Sequence, residues 1–148
     1  MQNRIFLIKT VTAFLFFNAV FLSIGFNKPC SRLSFQQTIE WIAPPAANKI
    51  INPFAGDKKS ADAGKALYNI YCVPCHGEKG KGDGPASTTI NTKPADHSSE
   101  KIQKQTDGAI YWKLTEGKPA LDMGSYKQAL SDTERWALVN YIRTLSEK

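Results

Sequence analysis

Three cysteines, two histidines and two methionines are all the soft or imidazole ligands that this 148-residue chain offers. Outside one cluster at positions 72 to 76 only Cys30 and His97 remain among the cysteines and histidines, so a four-ligand zinc site has no second pair to draw on. Alternating strand and helix patterns are missing, and with them the setting of a thioredoxin-like dithiol. No Lys-Ser/Thr pair at the required spacing follows the glycines from Gly77 to Gly84, and no strand precedes them, which removes a phosphate-binding loop. An excess of one charge is missing too. The formal charge is +6, but Arg4 and Lys9 belong to an apolar leader, and from Asp57 onward fourteen basic residues face twelve acidic ones, a net of +2. Modules that bind nucleic acid concentrate basic residues on one face, so no nucleic-acid partner is expected.

What is present centres on Cys72-Val73-Pro74-Cys75-His76-Gly77. Two thiols two residues apart, with an imidazole directly after the second, form the attachment pattern of a c-type haem. Each thiol can add across a vinyl group to give a thioether, and the adjacent histidine then sits under the iron as an axial ligand. A redox dithiol, half a zinc site or a structural disulfide would each use the thiols without needing His76. The histidine therefore favours haem attachment.

From these and neighbouring residues the chain resembles the class I c-type cytochromes, and more closely the short single-haem domains of bacterial periplasmic electron carriers. The residues that carry the likeness are Gly64 with Tyr68, the attachment motif, Gly82-Asp83-Gly84-Pro85, Asp107-Gly108-Ala109-Ile110, Met123, and Trp136 through Ile142. They cover roughly the last three fifths of the chain. The resemblance implies an all-α fold of three to four helices wrapped around one covalent haem c, in which the first helix crosses the last at Gly64. It also implies that the Pro85 carbonyl accepts a hydrogen bond from His76 Nδ1, that Trp112 or Tyr111 reaches a haem propionate, and that Met123 supplies the distal ligand. Met1 being the only other methionine, a thioether ligand would have to be Met123; Gly124 stands after it where the family has proline. His97 reads as a histidine of a polar surface loop.

Three stretches follow. Residues 1–26 start with Arg4 and Lys9 and continue without charge from Thr10 to Phe26, which reads as an uncleaved membrane anchor, with a cleaved signal or lipidation at Cys30 as alternatives. Positive charge before the apolar run places the amino end in the cytoplasm and the rest outside. Residues 27–56, with four prolines, read as a tether, with a short helical piece over Ser34 to Ile42 and with Ile50, Ile51 and Phe54 laid against the domain. Residues 57–148 read as the cytochrome domain, about 92 residues long, a size at which a protein-only core is marginal and a porphyrin would complete it.

Helix signals in the domain are local. Ser60 or Asp62 is expected to cap a helix to about Tyr71, Asp107 a helix ended by Gly117, and Ser131 with Glu134 a capping box for a helix to about Leu145. With iron closed by His76 and Met123, substrate has no access to the metal. The chain is thus expected to be an electron carrier rather than an enzyme, on the periplasmic side of the inner membrane, between a quinol-oxidising complex and a terminal oxidase or reductase. A fixed subunit of a membrane respiratory complex is the nearest alternative. A ligand sensor or small haem enzyme with an open sixth position, and a haem-free disulfide oxidoreductase, stand further off.

Overall fold

Asp57 opens the first helix: its carboxylate accepts from the Lys59 and Ser60 amides, and helix α1 runs over Lys58–Tyr71. The cap lies three residues before Ser60 because an Asx side chain satisfies the second and third amides after itself. In this computed structural model, which describes residues 40–146, α2 (Val73–His76) follows at once, then α3 (Glu100–Gln103), α4 (Asp107–Glu116) and α5 (Asp132–Thr144). Three of these, α1, α4 and α5, are of substantial length, and among the described residues there is no strand, only an isolated bridge between Lys118 and Met123. The expected all-α class holds.

α1 and α5 make the most extensive packing in the domain. Gly64 lets them meet. A Cβ at that position would stand 1.9 Å from the Ala137 carbonyl oxygen of α5 and 3.0 Å from Tyr141 Cβ, so only a residue without a side chain allows this approach. Around the crossing, Tyr68, Leu138, Val139 and Ile142 are fully buried, joined by Cys72, Ile110, Leu114, Leu130 and Trp136. In α5 the consecutive residues Arg135 to Asn140 are all buried, so this helix is enclosed on more than the face that meets α1. Tyr71, three residues after Tyr68, is exposed.

The remaining caps are equally local. Thr106, not Asp107, caps α4 by accepting from the Ala109 amide, and Gly117 ends that helix with φ +65°. Asp107 is diverted to tertiary work, accepting from Arg143 of α5 and from Asn52. Ser131 and Glu134 form the expected capping box.

The second half of the expected tether belongs to the same compact unit as the helices, which starts at Glu40. Ala43 and Ala47 are buried against Ala109 and Trp112 of α4. Asn52 is buried and donates to Asp107 Oδ2 at 2.8 Å and to Asn140 Oδ1 at 2.7 Å, while its own oxygen accepts from the Phe54 amide. Asn140 in turn donates to Phe54 O and Ser60 Oγ. Of the three residues expected to seat the segment, Phe54 packs against the main core, while Ile50 and Ile51 are exposed at 40% and 84%; small residues and an asparagine network complete the attachment. Of the proposed 34–42 helical piece, residues 34–39 lie outside the described residues and 40–42 are not helical. The apolar stretch at 1–26 and Cys30 also lie outside them.

Replacing Asn52 with alanine removes three hydrogen bonds and leaves Asn140 short of a donor. The expected loss is about 2–3 kcal/mol, which for a domain of this size is a fall of roughly 10–20 °C in the thermal midpoint. Thermal unfolding followed by circular dichroism measures it, and a change of only a degree or two would show that residues 40–56 are not integral to the domain.

Candidate functional site

Cys72 closes α1, its amide bonded to Tyr68 O. The chain then turns at once into α2, in which the Cys75 and His76 amides both reach Cys72 O, at 3.2 and 2.7 Å. The two thiols and the imidazole therefore share a single helical turn. Both cysteines are free. Cys72 is 4% exposed and belongs to the main core, and burial first, with Cys75 second, pushes its thiol up to about 12. An attacking thiol in a redox dithiol needs a depressed pKa to form its thiolate, so Cys72 is badly suited to that role. No group of three or more His, Cys, Asp or Glu able to hold a metal ion occurs among the described residues, which leaves the zinc reading without its ligands.

The glycine loop folds back over the attachment turn. The Gly82 amide donates to His76 O at 2.8 Å and that of Gly84 to Cys75 O at 3.1 Å. Gly77, Gly80 and Gly82 hold φ between +73° and +76°, the left-handed region that glycine enters without steric cost. The loop thus serves as a backbone clamp on the motif, as its composition suggests.

His76 donates from Nδ1 to the Ala95 carbonyl at 2.9 Å. That tautomer leaves the lone pair on Nε2, the atom a metal would take. Burial, the larger influence, holds the imidazole below its usual range and so neutral. The acceptor expected from the resemblance was Pro85, and the structure corrects it: Pro85 opens a 3-10 turn, Pro85–Thr88, and its carbonyl accepts from Thr88 Oγ1. Sequence alone hid Ala95 because a carbonyl acceptor carries no side-chain signature.

His97 is a second correction. Expected on the surface, it is 8% exposed, shares a 2.9 Å hydrogen bond with the Tyr68 hydroxyl through Nδ1, and stacks on His76 with ring centroids 3.9 Å apart and planes 19° apart. Burial first, then His76, pushes it down to about 3, so it is neutral. Axial ligands on opposite sides of a metal meet it nitrogen to nitrogen. Rings lying face to face do not, and this arrangement argues against His97 as a sixth ligand.

Trp112 and Tyr111, the two candidates for a propionate contact, are engaged elsewhere. Ile110 and Leu114 of α4 enter the main core and Tyr111 packs against its edge, while the roughly 100° between successive residues turns Trp112 to another side. Trp112 packs in the separate cluster with Ala43, Ala47 and Ala109, edge-on to Trp41 at 6.5 Å. Tyr111 stacks on Trp136 at 4.0 Å and bonds Asp132 and Arg135.

Met123 lies in the loop between α4 and α5, half-buried and packed against the core cluster that contains Cys72. Its backbone is tied on both sides: the Lys118 amide reaches Met123 O at 2.7 Å and its own amide reaches Lys118 O at 3.3 Å. Asp122, in the left-handed region at φ 58°, accepts from the Asn91 and Thr92 amides at 3.0 and 3.3 Å. These bonds brace a loop that has Gly124 in place of a stiffening proline. Beyond it, burial pushes the Tyr126 hydroxyl up to about 12, so it stays a donor, and it bonds Tyr71 O just before Cys72 at 3.1 Å. The methionine loop and the attachment turn are thus fastened to each other, through residues that the sequence did not single out.

The residues present fit a covalently held haem: two free thiols on one turn, an imidazole with Nε2 available, and a thioether packed on the core cluster that holds the first thiol. Such a turn in an all-helical domain defines a protein that attaches its haem through thioethers. The family model for cytochrome c matches residues 61–146, and the chain belongs to the cytochrome c family. Among solved structures it is similar to the Kuenenia stuttgartiensis reducing HAO-like protein complex Kustc0457/Kustc0458, with 31% identity and a TM-score of 0.57 over 61% of this chain and 45% of that one. It therefore spans less than half the length of that relative. It is also similar to the KustC0563 c-type cytochrome, at 27% identity and a TM-score of 0.49 over 57% of this chain and 98% of that one. No curated protein matches the chain. Family membership makes it a c-type cytochrome with covalently bound haem c, of a family whose members typically carry electrons rather than catalyse reactions, outside the cytoplasm. Among the described residues no helix is long and apolar enough to cross a membrane.

Proposed function

We propose that this cytochrome carries one electron at a time through a haem closed on both sides, His76 Nε2 binding the iron proximally and Met123 Sδ distally, with Cys72 and Cys75 holding the macrocycle. The carrying observation is the His76 Nδ1 bond to Ala95 O, which fixes the ring in the tautomer that offers Nε2. Bound in this way, the haem supplies a one-electron couple, and methionine with histidine raises its potential. The protein does the rest. The glycine loop and Ala95 orient the imidazole, the braced Lys118 to Met123 loop presents the thioether, and the buried core around Cys72 keeps water from the reacting centre.

Residues 1–26 serve as the anchor in the inner membrane, and the domain from about residue 40 works on its periplasmic side. A quinol-oxidising complex as donor and a terminal oxidase or reductase as acceptor suit a carrier of raised potential. Similarity to a solved structure of an HAO-like protein complex favours a second reading, a fixed electron-transfer subunit of a redox complex. Co-purification of a stoichiometric partner after mild detergent extraction selects the fixed subunit, and its absence selects the shuttle.

Intact mass tests the attachment. Protein matured in cells competent for cytochrome assembly is expected to carry the mass of one haem. The double variant Cys72→Ser, Cys75→Ser is expected to carry none, and bare polypeptide from the parent chain would sink the reading. Carbon monoxide added to the reduced protein is expected to leave the visible spectrum almost unchanged, as an open sixth position would not.

A further inference from the structure

The Ala95 carbonyl sits in a stretch without regular structure, residues 91 to 99, yet it must stay aligned with His76 Nδ1. Hydrogen bonds between an N–H and a carbonyl weaken steeply as alignment is lost. Three of the bonds that fasten this stretch run through one residue. The His97 amide donates to Gly80 O at 2.6 Å in the glycine loop. Its carbonyl accepts from Gln103 Nε2 at 2.7 Å, and that amide also reaches Ile142 O of α5. Its ring meets the hydroxyl of Tyr68, which is 0% exposed at the crossing of α1 and α5.

We propose that His97 is a positioning residue: it fixes the Ala95 carbonyl on the His76 imidazole by pinning the chain two residues downstream to Tyr68, and so sets the basicity of the proximal ligand. The inference deepens the proposed function, resting on His76 as the iron ligand. The Tyr68 bond is the only one of the three that depends on the side chain, and it reaches into the least mobile kind of site, a sealed helix crossing. The physical link to function is the donated proton. A well-aligned Nδ1–H to carbonyl bond makes Nε2 a better donor to the metal, which stabilises the oxidised iron and lowers the potential. Loosening the carbonyl does the reverse. A His97 that acted only by stacking on the His76 ring would leave the imidazole proton untouched when the Tyr68 hydroxyl alone is removed.

The test uses the haem-loaded protein and three variants, His97→Leu, His97→Asn and Tyr68→Phe. In His97→Leu the Nδ1 proton of His76, followed by NMR, is expected to exchange with solvent about tenfold faster, corresponding to a bond weakened by about 1.4 kcal/mol. Its reduction potential is expected to shift upward. Asparagine can place an amide oxygen or nitrogen where Nδ1 stood, so His97→Asn is expected to recover part of both changes. Tyr68→Phe keeps the packed ring, loses the hydroxyl, and is expected to match His97→Leu in direction; it carries the test alone if His97→Leu fails to mature. Unchanged exchange and potential in these variants, with only thermal stability lowered, overturns the inference while leaving the haem ligands as proposed. A parent protein without covalent haem overturns the ligand reading itself and takes this inference with it.

Discussion

Replacing Met123 with alanine is expected to abolish the weak near-infrared band that a thioether on ferric haem produces and to lower the reduction potential by on the order of 0.2 V, part of the roughly 0.8 V that axial ligands span. The direction follows from the thioether, a weak donor that favours ferrous iron; oxygen or nitrogen in its place favours the ferric state. Reduced Met123→Ala should also bind carbon monoxide readily where the parent does not. Met1 being the only other methionine, no second thioether within the domain can substitute. Optical spectra and a redox titration of the variant decide the matter. A surviving band would mean that Met123 is not the ligand.

Replacing Gly64 with valine is expected to be the most damaging single change to the fold. The first added carbon alone would fall 1.9 Å from the Ala137 carbonyl oxygen, and that oxygen belongs to backbone, which cannot rotate away as a side chain can. The helices must separate or the new residue must leave the crossing. Overpacking a core costs about 1–3 kcal/mol where side chains can yield; here the upper end or beyond applies, and a loss of about 3 kcal/mol lowers the thermal midpoint by roughly 10–20 °C. Tyr68, one turn on and buried in the same contact, should lose its edge-to-face packing on Tyr141, now at 5.0 Å. Gly64→Ala is expected to show the same effect more mildly. Wild-type stability in either variant would mean that α1 and α5 do not cross closely at this position.

Legibility differed between helices and loops. The capping box at Ser131 and the α4 stop at Gly117 were readable because each depends on residues within one or two turns. The first two N-caps were misread for a similar reason in reverse: several Ser, Thr and Asp residues competed for each start, and Asp107 was recruited by Arg143 and Asn52 from distant segments. At the site, the shared turn of Cys72, Cys75 and His76 was visible from spacing, while the acceptor for His76, the burial of His97 and the packing of Trp112 were not. All three depend on where a loop comes to rest against a helix far away in sequence.

By itself the sequence determined the chemistry: two thiols and an imidazole at fixed spacing, one methionine in reach of the domain, glycines to let the chain double back, and a capping box that starts the final helix. These are consequences of covalent geometry and helical period, which act over a few residues. Tertiary structure alone decided which carbonyl receives the His76 proton, that His97 lies buried against His76 and bonded to Tyr68 instead of in water, and that residues 40–56 belong to the domain. Such choices turn on small differences in burial and hydrogen-bond satisfaction summed over several segments at once, and no local pattern encodes that sum.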